Sequence, residues 1–149
     1  MIAVIQRVKY ASVTIEGNLK SSINNGLLIL LGVASDDSNE DINYIVRKSC
    51  ALRIFSDNEG KMNKSVVDIA GEILLVSQFT LYANTKNGNR PSFELAAKPD
   101  IAIPLYEKTI RQFEQTLNKH IKTGTFGADM KVELLNDGPV TIIINSKEK

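Results

Sequence analysis

The run "GLLILLGV" at residues 26–33 is apolar from end to end and only as long as a strand. A run of that kind reads as a strand covered on both faces. "EILLVSQFTLY" at 72–82 makes the same demand. Only two segments have helical spacing. In "NEDINYIVRKSCALRIF", Ile42, Ile45, Val46 and Cys50 share one face, with acids in the first turn and Ser38 or Asn39 as the cap. A second helix is expected to start near Pro104, with Tyr106, Ile110, Phe113, Leu117 and Ile121 along its apolar side. Two helices cover one face of one sheet, so the other face needs a second sheet or a second copy of the chain. The expectation is a single α/β domain over residues 1–149, in three α/β/β layers: two helices on a sheet, a second sheet behind it, and a dimer.

The remaining segments fill in this frame. Residues 2–15 read as a strand, 16–18 as a turn, 19–25 as a polar return strand and 52–56 as a short strand. "NTKNGNRPS" at 84–92 reads as a loop rich in Asn and Gly. Near the C-terminus, "VELLNDGPVTIIIN" at 132–145 places Asp137-Gly138 between two β-prone runs, the signal of a closing hairpin. Pro139 then sits at the mouth of the returning strand, where it removes a donor from the ladder. It is either turn punctuation or part of a Gly-Pro unit that presents its backbone to something.

Several classes of function are disfavoured. No apolar run approaches the roughly 20 residues of a membrane span, and the first residues lack a basic segment followed by an apolar core and a cleavage site. A cytoplasmic protein without a membrane partner is expected. The single cysteine, Cys50, excludes an intramolecular disulfide and a cysteine metal cage. It lies on the apolar stripe of the first helix and reads as a core thiol. The only histidine, His120, reads as a solvated residue at the end of the second helix, which leaves a histidine-based triad unsupported. No metal-ligand spacing or dinucleotide fingerprint is present, and neither a metal nor a cofactor is expected. The net charge of +1 is too small to imply nucleic-acid binding by itself. Its distribution is uneven, with a net of −3 over residues 36–60 and +3 over 84–122, so one face is basic enough to touch phosphates.

What remains is a polar interruption of the apolar run at 72–82. Strand alternation would put Ser77, Phe79 and Leu81 on one face and Gln78, Thr80 and Tyr82 on the other. These polar side chains either face solvent and neighbouring strands, or belong to a site that works through main-chain N–H groups at a strand end.

"VSQFTLYANTKNGNRPSF" (76–93) together with "NDGPVT" (136–141) resembles the D-aminoacyl-tRNA deacylase family, whose signatures are an S-Q-x-T-L segment and an N-x-G-P-V-T segment. "IQRVKYASV" (5–13), "LRIFSDNEGKMNKSV" (52–66) and "GTFGADM" (124–130) extend the similarity over essentially the whole chain. The resemblance implies a homodimer that hydrolyses the ester between a D-amino acid, or glycine, and the terminal adenosine of tRNA, without a cofactor and without DNA as a partner. By motif, Ser77, Gln78, Phe79 and Thr80 would form the catalytic pocket. Gly138 and Pro139, joined by a cis peptide bond, would form a cross-subunit selectivity element held by Arg7. Phe126 and Met130 would stand near the pocket of the aminoacyl group and adenosine.

Lys86 and Arg90 flank the "NGN" loop and are either solvated or in contact with tRNA acceptor phosphates. Two other readings stay open: a non-catalytic dimeric RNA-binding module, and an esterase with Thr80 as nucleophile acting on small acyl esters.

Overall fold

β1 (Ile2–Ile15) is the strand on which the others are laid, being long, β-branched and apolar at most positions. The structure is a computed structural model and describes residues 1–148. Along one edge, β1 pairs antiparallel with β8 (Lys131–Asn145). Its other edge is shared: β3 (Gly26–Gly32) lies beside its first half, and β2 (Asn18–Ile23) beside its second. β3 pairs parallel with β6 (Glu72–Ser77), and β6 with β7 (Lys122–Thr123), giving the order β2-β1-β3-β6-β7. The ends of this order come back together where the Ser21 hydroxyl donates to the Thr123 carbonyl at 2.6 Å. The sheet therefore nearly closes on itself.

This curl covers the second face of the central strands. Toward the helices, Ala3, Ile5, Leu27, Ile29 and Leu75 bury against α1 (Asn39–Ala51) and α2 (Pro99–Leu117). On the other side, Leu28, Leu74 and Val76 meet Val8, Val13 and Ile23, brought over by the far half of β1 and by β2. The expected second sheet is thus not separate: one six-stranded sheet supplies both layers. Among the described residues the only other sheet is the ribbon of β4 (Phe55–Ser56) and β5 (Met62–Lys64). Long strands with bulges can bend far enough to do this, and β1 carries register shifts against both β2 and β8.

The cover is incomplete at one row. Val4 pairs with both Ile143 and Leu30, and Leu30 pairs with Val76. Along that row Val76 is buried, Leu30 and Val4 are half-buried, and Ile143 is 69% exposed. Among the described residues the outer edge of β8 has no strand partner.

Three expectations are corrected. First, the strand expected over 72–82 stops at Ser77, and Phe79–Tyr82 form a short 3-10 helix. β3 ends at Gly32, so the ladder has nothing further to pair with after the Gln78 N–H reaches the Leu31 carbonyl at 2.8 Å. Strand alternation therefore does not govern residues 78–82. Second, α2 begins at Pro99, with Pro104 inside it. Pro99 is a favourable first residue because the N–H it lacks would be unpaired there anyway. The helix ends at Asn118, which takes a left-handed conformation (φ 51°), so His120 and Ile121 lie beyond it. Third, no hairpin closes at Asp137-Gly138. β8 runs from Lys131 to Asn145 as one strand against β1, and the turn-like residues form a bulge.

α1 starts on the expected cap. Ser38 accepts from the Glu40 N–H at 3.2 Å, and Asp41 accepts from the Ser38 N–H at 2.8 Å, a reciprocal capping box. Asp41 is buried and also accepts from the Ser146 hydroxyl at 2.7 Å and from Lys147 at 3.2 Å, which ties the chain's end to α1. Burial alone would raise its carboxyl pKa, but the bonds from Ser146, the Ser38 backbone, Lys147 and the Ser38 hydroxyl together hold it well below the usual carboxylate range. A depressed folded-state pKa contributes stability above the unfolded value of 3.8, and that contribution fades as the pH falls below it. Asp41→Asn is expected to lower unfolding stability by about 1.5–3 kcal/mol near neutral pH. Urea unfolding at pH 7 and pH 3 should show the gap between variant and parent narrowing at the lower pH.

Candidate functional site

The end of β6 opens into a cavity of about 240 Å3. Its walls include Ser77, Gln78 and Phe79 from the strand end, and Phe126 and Met130 from the segment before β8. Ser77 is the last ladder residue, opposite Leu31. The chain then turns tightly over the end of β3. A Cβ added to Gly32 would lie 3.1–3.2 Å from Leu81 Cβ, the Gln78 carbonyl and the Tyr82 ring, so a larger residue there would push the turn away.

Main-chain donors are the principal chemical asset of this turn. The first N–H groups of a helix have no acceptor within it. Gln78 N–H is used by Leu31, Leu81 N–H by the Gln78 carbonyl and Ala83 N–H by the Thr80 carbonyl. Among the described residues, the Phe79 and Thr80 N–H groups have no backbone acceptor. Thr80 itself is exposed beside the cavity and does not line it. Its hydroxyl oxygen accepts a hydrogen bond from the Gln78 side-chain amide. That donor withdraws electron density from the oxygen, and among the described residues no Lys, His, Asp or Glu side chain is hydrogen-bonded to it.

The aromatic walls are braced from outside. Phe79 is 56% exposed and meets Phe93 edge-on, with centroids 4.9 Å apart and planes at 73°. Phe126 packs tilted against Tyr106 of α2 at 5.9 Å. The Tyr106 hydroxyl donates to the Leu75 carbonyl at 2.8 Å, and burial pushes its pKa far above the ordinary phenol value. Met130 lies over Gly124, where an added Cβ would fall 2.3 Å from its sulfur. Gly124 therefore has to stay bare for Met130 to reach the cavity.

Gly138 and Pro139 stand elsewhere. They bulge from β8 opposite Arg7, both exposed, and are joined by a cis peptide bond. Gly138 has φ 148°, and a Cβ there would meet Val140 at 2.7–2.9 Å, so only glycine suits the position. Asn136 closes the base of the bulge. Its side-chain oxygen accepts from the Val140 N–H at 2.7 Å, while its amide donates to the Val140 carbonyl at 3.2 Å and to Thr141 at 3.1 Å. Arg7 holds the flank, donating to the carbonyls of Asp137, at 2.7 Å, and Ile54.

The sheet register separates this bulge from Ser77 by three strands across and four residues along. Measured on the sheet, that is about 14 Å by about 13 Å. Within one chain neither Gly138 nor Pro139 lines the cavity.

Other singled-out residues lie outside the cavity. Lys86 and Arg90 are exposed on a loop whose base is pinned by paired backbone bonds between Asn84 and Ser92, at 2.8 and 3.0 Å. His120 is almost fully exposed, with Nδ1 3.0 Å from Glu114. Cys50 is buried, and desolvation pushes its thiol up to about 11, which keeps it protonated and inert near neutral pH. Among the described residues no group of three or more His, Cys, Asp or Glu side chains is placed to hold a metal ion. The bracing roles of Tyr106 and Phe93 are not legible in the sequence, because a helical stripe position and a loop position carry no chemical signal without the contacts; Asn136 opens the quoted "NDGPVT", but its clamp on Val140 shows only in the structure.

A family profile described as "D-Tyr-tRNA(Tyr) deacylase" matches residues 4–145. A protein of Cytophaga hutchinsonii named D-aminoacyl-tRNA deacylase is 60% identical over 149 residues, covering 100% of this chain and 99% of its own. One of the same name from Bacteroides thetaiotaomicron is 58% identical with the same coverage. A solved structure of a protein named c-Myc DNA Unwinding Element Binding Protein superposes with a TM-score of 0.93 at 44% identity, over 97% of this chain and 98% of the other.

The Asn136 clamp gives a direct test of how the bulge is held. Asn136→Ala removes three hydrogen bonds and leaves the Val140 N–H unpaired, and is expected to cost about 1–3 kcal/mol of stability in urea unfolding.

Proposed function

The chain belongs to the D-Tyr-tRNA(Tyr) deacylase family, and from that premise we propose that it hydrolyses the ester linking a D-amino acid to the terminal adenosine of tRNA. The reading covers residues 1–149 as one deacylase domain. Water adds to the ester carbonyl, the C–O bond to the ribose breaks, and the departing ribose oxygen takes up a proton. The products are a free D-amino acid and uncharged tRNA. The observation that carries this reading is the pair of N–H groups without a backbone acceptor on Phe79, which lines the cavity, and on Thr80, the next residue, beside it. Donors of this kind stabilise the oxyanion of the tetrahedral intermediate, each worth about 2.7–4 kcal/mol of barrier. Thr80 acts through its backbone, because its hydroxyl is turned to the Gln78 amide and among the described residues no Lys, His, Asp or Glu side chain is hydrogen-bonded to it. The 2′-hydroxyl of the terminal adenosine, next to the reacting ester, is the group we assign to orienting the water.

Chirality is read by backbone. An enzyme that serves many amino acids has to sense configuration at Cα and ignore the side chain. We propose that Gly138-Pro139 of one copy enters the cavity of a second, where its rigid carbonyls exclude an L side chain by clash and desolvation while a D side chain points outward. Support comes from the separation of the two motifs within one chain, from the Asn136 and Arg7 clamps, and from the exposure of the bulge. A homodimer would also cover the bare row ending at Ile143 and the open edge of β8. Glycyl-tRNA, with no side chain to exclude, is expected as a second substrate.

The tRNA is engaged through phosphates by Lys86 and Arg90, which are exposed on the loop that follows the cavity turn. We place the reaction in the cytoplasm and assign no role to DNA. Neutralising both cations should weaken tRNA binding evenly across tRNA identities and flatten its salt dependence, with single-stranded DNA of equal length as the comparison ligand.

Release from D-Tyr-tRNA, L-Tyr-tRNA and a small tyrosine ester tests the reading. Cleavage of the first alone is the expected outcome. Cleavage of the small ester would indicate a threonine esterase, and silence on all three a binding module. Thr80→Ala is expected to keep kcat within about tenfold of the parent, since the N–H remains; near-complete loss in a folded variant would make Thr80 the nucleophile. A substrate ending in 2′-deoxyadenosine should be hydrolysed at least about a hundredfold more slowly, within the range general acid–base assistance supplies.

A further inference from the structure

An aromatic pair stands exposed at the mouth of the cavity. Phe79 lines the cavity, yet more than half of its surface is in solvent. Phe93, itself half-buried, meets that ring edge-on at 4.9 Å. A single exposed phenylalanine is ordinary on a protein surface. This one is locked in place. The bonds from Leu81 N–H to the Gln78 carbonyl and from Ala83 N–H to the Thr80 carbonyl fix its turn. Its neighbour is fixed on one side by the paired Asn84–Ser92 bonds, and on the other by the Ala96 N–H, which donates to the Phe93 carbonyl at 3.0 Å. Leu95, at that second turn, extends the exposed apolar surface. The loop between the two rings, residues 84–92, carries Lys86 and Arg90 and no acid. Fixed rings flanked by cations are what a single strand of nucleic acid binds, its bases stacking on the rings while its phosphates follow the charge.

A tRNA brings such a strand. Its 3′ end is unpaired and closes with two cytidines and the adenosine that carries the ester. With the ester carbonyl at the Phe79 and Thr80 N–H groups, the terminal adenosine is kept at the cavity. The cytidine before it lies one phosphodiester further out, where the cavity wall gives way to the exposed side of the aromatic pair. Resting on the deacylase reading above, we propose that the Phe79–Phe93 pair is a stacking platform for the base of the penultimate nucleotide. Phe79 presents its ring, and Phe93 is a positioning residue that holds that ring still. Phe79 then works on two sides, its N–H toward the ester and its ring toward the strand that delivers it. Stacking senses the face of a base and ignores its edge, so any base serves at this position and a missing base does not. The platform orients the terminal ribose without touching the acyl group, which suits an enzyme that ignores the amino-acid side chain.

The test uses the full-length protein and two matched forms of D-Tyr-tRNA, each completed by ligating a chemically acylated dinucleotide to a tRNA that lacks its last two nucleotides. One form has cytosine at the penultimate position, and the other has a ribose without a base. Acyl group and phosphates are the same in both. The parent is expected to favour the complete substrate about tenfold in kcat/KM, mainly through KM. Adenine in place of cytosine should preserve the preference. Phe79→Leu and Phe93→Leu keep an apolar side chain and the Phe79 N–H but lose one ring, and each should bring the ratio close to one. Phe93→Tyr should retain it. Damage to the fold alone would slow both substrates together and leave the ratio in place. A parent ratio close to one, as would follow if a second copy of the chain covered the pair, would overturn the inference while leaving the deacylase reading intact. So would a preference that survives in either leucine variant. No cleavage of either substrate by the parent would remove the deacylase reading and this inference together.

Discussion

The hydrogen bond from Gln78 N–H to the Leu31 carbonyl is the point at which the sheet stops and the site begins. Up to that bond, β6 is an ordinary buried strand with its donors committed to β3. Beyond it, β3 has ended at Gly32, and the chain must turn or leave two N–H groups in an apolar interior. It turns, and the turn places Phe79 in the wall of an open cavity with Thr80 beside it, their N–H groups without backbone acceptors. The small size of Gly32 lets the turn pack that closely. The chemistry proposed above would therefore follow from where a parallel ladder runs out, in a chain with one histidine and one inert cysteine.

The same economy appears at the second motif. β8 is continuous, yet its register against β1 breaks at Val8, and the residues left over form the Gly138-Pro139 bulge. A looped-out segment in a sheet would ordinarily be mobile, because its ladder bonds are gone. Here Asn136 supplies substitutes, presenting an acceptor and a donor to Val140 as a neighbouring strand would. Arg7 fixes the flank from β1. The result is a braced pair of carbonyls carried on a strand, which is what the proposed reading of configuration requires.

Much of this was legible in the sequence where periodicity and composition act together. The buried character of residues 26–33 and 72–77 follows from their continuous apolar runs, and the α1 start from Ser38 with acids behind it. The surplus of strands over helices correctly required cover on the far face of the sheet. What composition could not convey is that the same sheet would provide that cover by curling, since closure depends on bulges whose positions are set by tertiary pairing. Local signals failed at two instructive places. "QFTLY" has strand propensity but lacks a partner strand, and "NDGP" has hairpin chemistry but lies opposite a β1 long enough to pair on both sides of it. Both failures fall on the residues assigned to function.

The central claim is that a rigid Gly-Pro backbone, with no side chain involved, separates D from L substrates. The ratio of kcat/KM for D-Tyr-tRNA to that for L-Tyr-tRNA in Pro139→Ala, set against the parent, measures it most directly. Loss of the ring frees φ at residue 139 and relaxes the carbonyls, so the ratio is expected to fall by at least about tenfold, with L-Tyr-tRNA gaining turnover. An unaltered ratio in a folded, active variant would contradict the claim and move the source of chirality elsewhere in the cavity.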